Sequence, residues 1–449
     1  MTFAAADSED RRQLVHIAAG GFALALPYLA WWQSVLLASA AVAFNLFAIQ
    51  SVLGVAVFRP GERLRRLTSG IVLYPLAVLA LLLLFPHRLD IVAAAWGILA
   101  AGDGMATLVG RRVAIAHLPW NRRKTVGGSV AFVLFGGAAG AALAWWCRDT
   151  VIPPAYSWYP LAAAFTAAVA AAAVETIPVS LDDNVSVTAS AAAVLWLVSL
   201  FSMDLARAAL QAAAVWLPLA LTLNMAVAAI GYRARTVTGS GAIAGVLLGT
   251  AILACTGLNG WLLLFATFGC AVVTSRMGLR RKMLLGIAEE RGGRRGAGNA
   301  FANTGVAALA ALASVLSYAH EPALVAFVAA LAAGGSDTIA SEIGKAWGRT
   351  TYAITTGRRV PPGTSGAMSL EGTAAGVAGA ILLGAAGAAL GLIPLALVAA
   401  IVAGATVGSL VESVLGATLE PRGVVNNDIL NFVNTGVAAA VAVELSRLA

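Results

Sequence analysis

Residues 393–416 have the sequence IPLALVAAIVAGATVGSLVESVLG, an apolar stretch in which Glu412 is the one ionisable side chain. About 20 apolar residues suffice for an α-helix to cross the hydrocarbon core of a bilayer. Similar stretches recur along the whole chain and together predict about fifteen crossing helices. The sequence therefore predicts an all-α, polytopic membrane protein built from transmembrane helices.

The predicted crossing stretches form two series. Those of the first series are 14–31, 33–57, 68–85, 89–109, 128–147, 157–176, 186–202 and 206–230. Those of the second are 239–254, 258–275, 300–318, 323–344, 370–390, 393–416 and 428–446.

Composition agrees with a membrane protein. Of the 449 residues, 60% are hydrophobic and 11% are charged, against about 25% charged residues in a soluble domain. The 47 glycines allow helices to approach closely where lipid supplies no hydrophobic drive. The three cysteines lie singly in apolar stretches, and their spacing suggests no metal site.

The basic residues indicate the orientation of the chain. With the N-terminus in the cytoplasm, helix alternation places loops 58–67, 110–127, 231–238, 276–299, 345–369 and 417–427 on the cytoplasmic side. Of 29 lysines and arginines, Arg88, Arg148, Arg207 and Arg447 fall on the opposite side. This pattern obeys the positive-inside rule, so the net charge of +8 indicates topology and no nucleic-acid partner. We expect a multi-pass protein of a bacterial inner membrane whose sites face the cytoplasm.

Polar motifs recur in two halves of the chain. AAGDGMATLVGRR (100–112), RRKTVGGSVAF (122–132) and VETIPVSLDDN (174–184) have counterparts later in the chain. The counterparts are AAGGSDTIASEIGKAWG (332–348), PPGTSGAMSLEGT (361–373) and VESVLGATLEPRGVVNND (411–428). Their near-constant offsets predict a duplication with its joint near residue 204.

Acidic and basic side chains cluster at predicted helix ends in the first half. A basic, glycine-rich turn at a helix N-terminus can hold phosphate through its backbone N–H groups, and carboxylates supply the oxygen ligands of nucleotide-bound Mg²⁺. The candidate catalytic residues are Asp103 and Lys124. The candidates for phosphate binding are Arg12, Asn121, Thr125, Gly127 and Ser129, and those for metal binding are Asp103, Glu175, Asp183 and Asn184.

The second half has the same pattern with different residues. Its candidate catalytic residues are Asp337 and Lys345. Its candidates for phosphate binding are Arg294, Arg295, Arg358, Arg359, Gly363, Thr364, Ser365 and Ser369. Its candidates for metal binding are Asp337, Ser341, Glu342, Glu371, Glu412, Asn427 and Asp428. A single acid or glycine of this kind is also explained by helix capping or close packing, so the hypothesis depends on their repeated co-occurrence.

These motifs resemble two known families. Residues 1–203, with GDGMATLVGRR, RRKTVGGS and VETIPVSLDDN, resemble the phytol kinase and dolichol kinase family. Residues 204–449, with GGRRGAGNAFANTG, SDTIASEIGK, PPGTSGAMSLEGT and NNDILNFVNTG, resemble the phytyl-phosphate kinase family, which includes transmembrane protein 19.

The resemblance implies two kinase activities in one chain. The first half would phosphorylate a prenyl alcohol such as phytol, geranylgeraniol or farnesol, and the second would phosphorylate the prenyl monophosphate to the diphosphate. CTP would be the phosphoryl donor, with ATP or another nucleoside triphosphate as alternatives, and Mg²⁺ the cofactor. The oligomeric state, including a homodimer, stays open.

Two other functions fit parts of the sequence. Duplicated helical halves with polar helix breaks are also typical of inverted-repeat transporters, although their sites lie near the bilayer midplane. The first-half motifs also resemble those of lipid-phosphate cytidylyltransferases. The clustering of acids at the predicted cytoplasmic rim favours an enzyme over a transporter.

Overall fold

The computed structural model of the protein describes residues 3–48, 70–113, 116–151, 158–177, 182–287 and 294–448. Within these ranges, 11 helices are long and apolar enough to cross a membrane. The prediction of an all-α polytopic membrane protein is confirmed. The chain divides into two compact units, Met1–Ser199 and Leu200–Ala449.

Seven α-helices are described in the first unit. They are α1 (Phe3–Ala19), α2 (Trp31–Ala48), α3 (Gly70–Leu84), α4 (Leu89–Arg112), α5 (Val126–Trp146), α6 (Tyr159–Thr176) and α7 (Asp183–Ser199). The predicted crossing at 14–31 is not one α-helix, because α1 gives way to a 3-10 helix at Gly20–Tyr28. Loop 58–67 and the end of the predicted helix 33–57 lie outside the described residues.

Helix α4 forms the centre of the first unit. It contains a π-helical segment, Ile98–Asp103, and α5 contains another, Phe132–Gly136. The two segments touch, since a Cβ atom on Gly102 would meet the Phe132 ring at 3.0 Å. Such π-helical turns are frequent at functional sites. Here the turn ends at Asp103, a predicted site residue.

Eight α-helices and three short strands are described in the second unit. The helices are α8 (Met203–Arg233), α9 (Gly239–Arg276), α10 (Leu279–Leu284), α11 (Ala297–Leu316), α12 (His320–Trp347), α13 (Leu370–Ala389), α14 (Val398–Thr418) and α15 (Asn427–Ser446). The strands are β1 (Thr351–Ala353), β2 (Arg359–Val360) and β3 (Ala367–Ser369). Helix α12 is the most buried of the predicted spans.

Helix α9 is broken at Gly257, whose φ of 65° and ψ of −164° are not helical. Both halves of α9 contact Asn224 of α8. Trp261 donates its indole N–H to the Asn224 amide oxygen at 3.0 Å, and a Cβ on Gly249 would lie 2.1 Å from that oxygen. Twelve residues of straight helix would separate Gly249 from Trp261 by about 18 Å. The predicted crossings 239–254 and 258–275 are therefore two arms joined by a sharp bend.

The three strands form an antiparallel sheet of order β2-β1-β3, within residues predicted as the basic loop 345–369. Thr351 pairs with Val360 on one side and with Ser369 on the other. Ser369 ends β3 and caps α13 by accepting a hydrogen bond from the Gly372 N–H. The sheet therefore fixes the start of α13 close to the end of α12.

Candidate functional site

Three carboxylates meet in the first unit. Asp103 comes from the end of the π-helical segment of α4, Glu175 from the end of α6 and Asp183 from the start of α7. One oxygen of each lies within 4.8 Å of the others, the one such acidic group of three among the described residues. Carboxylate oxygens at this spacing suit the octahedral, oxygen-only coordination of Mg²⁺. The structure therefore brings together three of the four predicted metal ligands of the first unit.

Lys124 connects two of these carboxylates. Its ammonium group donates to Glu175 Oε1 at 2.5 Å and to Asp183 Oδ2 at 3.1 Å. Partial burial opposes the charge of Lys124, but the nearby carboxylates of Glu175 and Asp183 outweigh it and raise the lysine pKa to about 12. Lys124 is thus a fixed cation beside the acidic group.

The loop before α5 is tied to the end of α6. The Asn121 amide donates to the Thr176 carbonyl at 3.1 Å, and the Trp120 indole donates to the Thr176 hydroxyl at 3.3 Å. These bonds use the Asn121 side chain to hold the loop in place. They position Lys124 next to Glu175.

The glycine-rich turn that begins α5 packs tightly against α4. A Cβ on Gly127 would lie 2.7 Å from the Val113 carbonyl oxygen, and one on Gly128 would lie 2.9 Å from the Ala106 oxygen. Thr125 caps α5 by accepting from the Gly128 N–H at 3.1 Å, and Ser129 donates to the Thr125 carbonyl. Close packing and capping thus account for these residues, and phosphate binding by Thr125, Gly127 and Ser129 stays a prediction.

A cavity of about 700 Å³ leads to the acidic group. Its polar end contains Arg12, His16, Asp103, Asp183 and Asn184, and its walls are largely apolar. The wall residues include Leu26, Leu37, Ile71, Val78, Leu82 and Trp96. The volume lies within the range of small-molecule sites, about 300–1,000 Å³. The cavity can hold a long apolar molecule whose polar end reaches Asp103.

His16 lies at the polar end of this cavity. Its Nε2 atom lies 3.6 Å from Asp103 Oδ2 and 3.3 Å from the Leu99 carbonyl oxygen. Its ring packs edge-on against Tyr74 at 4.6 Å between centroids. The structure thus places His16 in the wall of the cavity beside Asp103.

A second polar cavity, of about 290 Å³, lies in the second unit. Asp337 of α12 and Glu412 of α14 face it with their carboxyl groups in contact. Glu412 Oε2 is buried and has no hydrogen-bond partner. Paired carboxyls with an unsatisfied oxygen fit a bound cation, which would relieve their repulsion.

Some of the predicted site residues of the second unit line this cavity. Those lining it are Asp337, Ser341, Lys345, Gly363, Thr364, Ser365, Ser369, Glu412 and Asn427. Gly363 has a φ of 85°, a conformation that glycine adopts without strain. The turn 361–366 therefore closes one side of the cavity.

Other predicted residues do not line this cavity. Glu342 faces Lys282 and Lys345, Asp428 lies against Gly298, and Glu371 accepts from the Arg349 N–H. Arg358 and Arg359 are exposed in and next to β2, and Arg294 is exposed before α11. The structure therefore does not bring Asp337, Glu342 and Asp428 together as a metal site, and Glu412 is the carboxylate beside Asp337. Most of these contacts join residues far apart in the chain, which motif order alone does not reveal.

Lys282 belongs to the basic loop 276–299 and was not among the predicted site residues of this region. Its ammonium group donates to the Glu342 carboxylate and to the Ser275 carbonyl oxygen, the latter at 2.7 Å. Glu342 in turn binds Lys345 at 3.3 Å, and Lys345 lines the cavity. The run RRK (280–282) signalled positive charge but not that its last member is buried.

Both units share one local arrangement around their most buried, or central, helix, which is α4 in the first unit and α12 in the second. Gly110 lies seven residues after Asp103, and Gly344 lies seven residues after Asp337. A Cβ on Gly128 would meet the Gly110 Cα at 3.4 Å, and one on Gly372 would meet the Gly344 Cα at 3.1 Å. In each unit the next helix therefore crosses the central helix at the same distance from the aspartate.

Comparisons with known proteins identify related membrane proteins. The family described as integral membrane protein DUF92 matches residues 222–439. An uncharacterized membrane protein of Synechocystis sp. is 38% identical over 208 residues, which are 45% of this chain and 80% of that protein. The chloroplast protein VTE6 of Arabidopsis thaliana is 34% identical over 218 residues, which are 47% of this chain and 66% of that protein.

A named kinase is also similar. The chloroplast farnesol kinase of Arabidopsis thaliana is 30% identical over 195 residues, which are 40% of this chain and 62% of the kinase. The chain thus spans less than two thirds of that kinase. No solved structure matches the chain.

Proposed function

The chain belongs to the integral membrane protein family DUF92, and from its two polar sites and its similarity to a farnesol kinase we propose that it is a bifunctional isoprenoid-alcohol kinase. The first unit phosphorylates a prenyl alcohol, and the second phosphorylates the resulting prenyl monophosphate. The phosphoryl donor is CTP with Mg²⁺.

The observation that carries this proposal is the cavity of the first unit. Its apolar walls suit an isoprenoid chain, and its acidic end suits the place where a hydroxyl meets a metal-bound nucleotide. A site that bound only a soluble nucleotide would not need apolar walls. A site that bound only a hydrocarbon would not need the three carboxylates.

The residues of the first unit have distinct roles in this proposal. Asp103, Glu175 and Asp183 would hold Mg²⁺, which would neutralise nucleotide phosphate charge, and Lys124 would bind the phosphates. The prenyl hydroxyl oxygen forms a bond to the γ-phosphorus while the bond between that phosphorus and the β-γ bridging oxygen breaks. The hydroxyl proton passes to water, and the nucleoside diphosphate leaves.

In the second unit, Asp337 and Glu412 would hold Mg²⁺, and Lys345 would bind the nucleotide phosphates. The adjacent carboxyls and the polar turn 361–366 support this assignment. The acceptor is now an oxygen of the prenyl monophosphate. Its attack on the γ-phosphorus yields the prenyl diphosphate and a nucleoside diphosphate.

We place both sites on the cytoplasmic side of a bacterial inner membrane. The positive-inside distribution of the lysines and arginines supports this orientation. It also places both nucleotide sites in the compartment that contains nucleoside triphosphates.

Labelled nucleotide tests the reaction class. Purified protein is incubated with farnesol, geranylgeraniol or phytol and with CTP labelled at either the γ- or the α-phosphate, with ATP in parallel. A kinase transfers the γ label to lipid and leaves the α label in CDP. Transfer of the α label would instead identify a cytidylyltransferase. Transfer of neither label would leave the transporter as the remaining candidate function.

A further inference from the structure

A third cavity lies in the second unit and has no role in the proposal so far. It has a volume of about 150 Å³ and lies between α8, α9, α11 and α12. Its walls include Leu248, Trp261, Phe265 and Phe268. These walls suit a mostly apolar ligand.

One end of this cavity is polar. Asn299 and Asn303 lie four residues apart in the first turns of α11 and share one helix face, and Arg295 lies just before the helix. The Arg295 guanidinium donates to Asn299 Oδ1 at 3.3 Å, and the Asn303 amide donates to the Asn299 carbonyl at 2.9 Å. A cation with two amides at the end of an apolar cavity suits the anionic head of a lipid.

This polar end lies close to Asp337. Asn303 packs on Gly334, since a Cβ there would lie 3.0 Å from the Asn303 carbonyl oxygen. Gly334 precedes Asp337 by about one helical turn. Arg295 and Lys345 both interact electrostatically with Asp337, but Arg295 lines the apolar cavity and Lys345 the polar one. Asp337 thus lies between two sites, each with its own cation.

We propose that the apolar cavity binds the phosphate end of the prenyl monophosphate, with Arg295 on the phosphate, while the nucleotide occupies the polar cavity beside Lys345. This inference rests on the proposed function of the second unit. The acceptor phosphate oxygen then meets the γ-phosphorus at Asp337, and the bond that breaks is the one to the departing nucleoside diphosphate.

The small volume has a consequence for specificity. A cavity of about 150 Å³ is below the range that encloses a whole drug-sized ligand, about 300 Å³ or more. It encloses the phosphate and the first carbons, and the rest of the chain lies in lipid. The second phosphorylation therefore tolerates different prenyl chain lengths. A cavity that enclosed the additional carbons would instead change the binding affinity by about fourfold per CH₂.

Gly245 offers a direct test. It lines the apolar cavity, and a Cβ there would meet nothing within 4 Å, so Gly245→Leu fills the space without a clash at its base. Gly269 also has open space around its Cβ and does not line the cavity, which makes Gly269→Leu the matched control. Arg295→Gln removes the positive charge that is proposed to bind the phosphate. The full-length protein in detergent is assayed for binding of radiolabelled farnesyl monophosphate and, separately, for its phosphorylation.

We expect Gly245→Leu and Arg295→Gln to weaken farnesyl monophosphate binding and to raise its KM by roughly tenfold or more, with the KM for CTP unchanged. We expect Gly269→Leu to behave as wild type, and kcat/KM for farnesyl and geranylgeranyl monophosphate to agree within about threefold. Equal binding by Gly245→Leu, Gly269→Leu and wild type overturns the cavity assignment. If wild type binds farnesyl monophosphate without phosphorylating it, and Gly245→Leu abolishes that binding, the result supports the cavity assignment and overturns the kinase function.

Discussion

Lys282 of α10 and Glu342 of α12 form a buried ion pair in the second unit, with side-chain exposures of 1% and 3%. Removal of one partner of such a pair leaves an uncompensated charge and costs about 3–5 kcal/mol. We expect Lys282→Met to lower the free energy of unfolding by less than that amount, because Lys345 still pairs with Glu342, measured by thermal or denaturant unfolding in detergent.

A double variant separates stability from function at this pair. Lys282→Met with Glu342→Leu replaces both charges by apolar groups, and we expect it to recover most of the lost stability. It should not recover the second phosphorylation, because Glu342 also binds Lys345 at 3.3 Å. Full recovery of activity by the double variant would show that Lys345 needs no anchor.

The two aspartates should be functionally independent. We expect Asp103→Asn to lower prenyl alcohol phosphorylation by about 100-fold or more and to leave monophosphate phosphorylation intact. Asp337→Asn should do the reverse. Each reaction is measured separately with its own acceptor, and equal loss of both reactions in either variant would contradict the assignment of one activity to each unit.

Metal removal tests the acidic group of the first unit. Glu175 is buried and lies within 4.8 Å of Asp103 and Asp183. We expect chelation by EDTA to abolish alcohol phosphorylation and Mg²⁺ to restore it. Glu175→Gln should raise the Mg²⁺ concentration for half-maximal activity by about tenfold, because a neutral amide is a weaker ligand than a carboxylate. An unchanged Mg²⁺ requirement would exclude Glu175 as a ligand.

The charge of Lys124 should persist at alkaline pH. Its pKa is raised from 10.5 to about 12, so its stabilising contribution is complete below about 10.5 and is lost as pH rises through about 12. We expect Lys124→Met to raise the KM for CTP by a constant factor between about pH 7 and pH 9. Lys124→Arg, which keeps the charge, is the control, and a factor that falls steadily with pH would mean that Lys124 loses its proton in this range.

The sequence predicted the spanning helices because length and hydropathy are local properties. It also predicted that Asp103, Glu175 and Asp183 would work together, and these three do meet. The strands at 351–369 were missed because two or three residues are too short to show an alternating pattern. The placement of Arg295 and Glu342 away from the polar cavity depends on which helix face points where, and motif order does not contain that information.

The break at Gly257 allows α9 to cross a bilayer twice, as the sequence predicts. Its 38 residues would form a rod of about 57 Å if straight, nearly twice the hydrocarbon thickness of about 30 Å. The predicted topology requires the two arms to cross separately, and the bend at this glycine allows the chain to return to the leaflet from which it came. In the predicted topology, the side of every later loop, including the one after Lys345, therefore depends on a single residue at a φ of 65° that a side chain would strain.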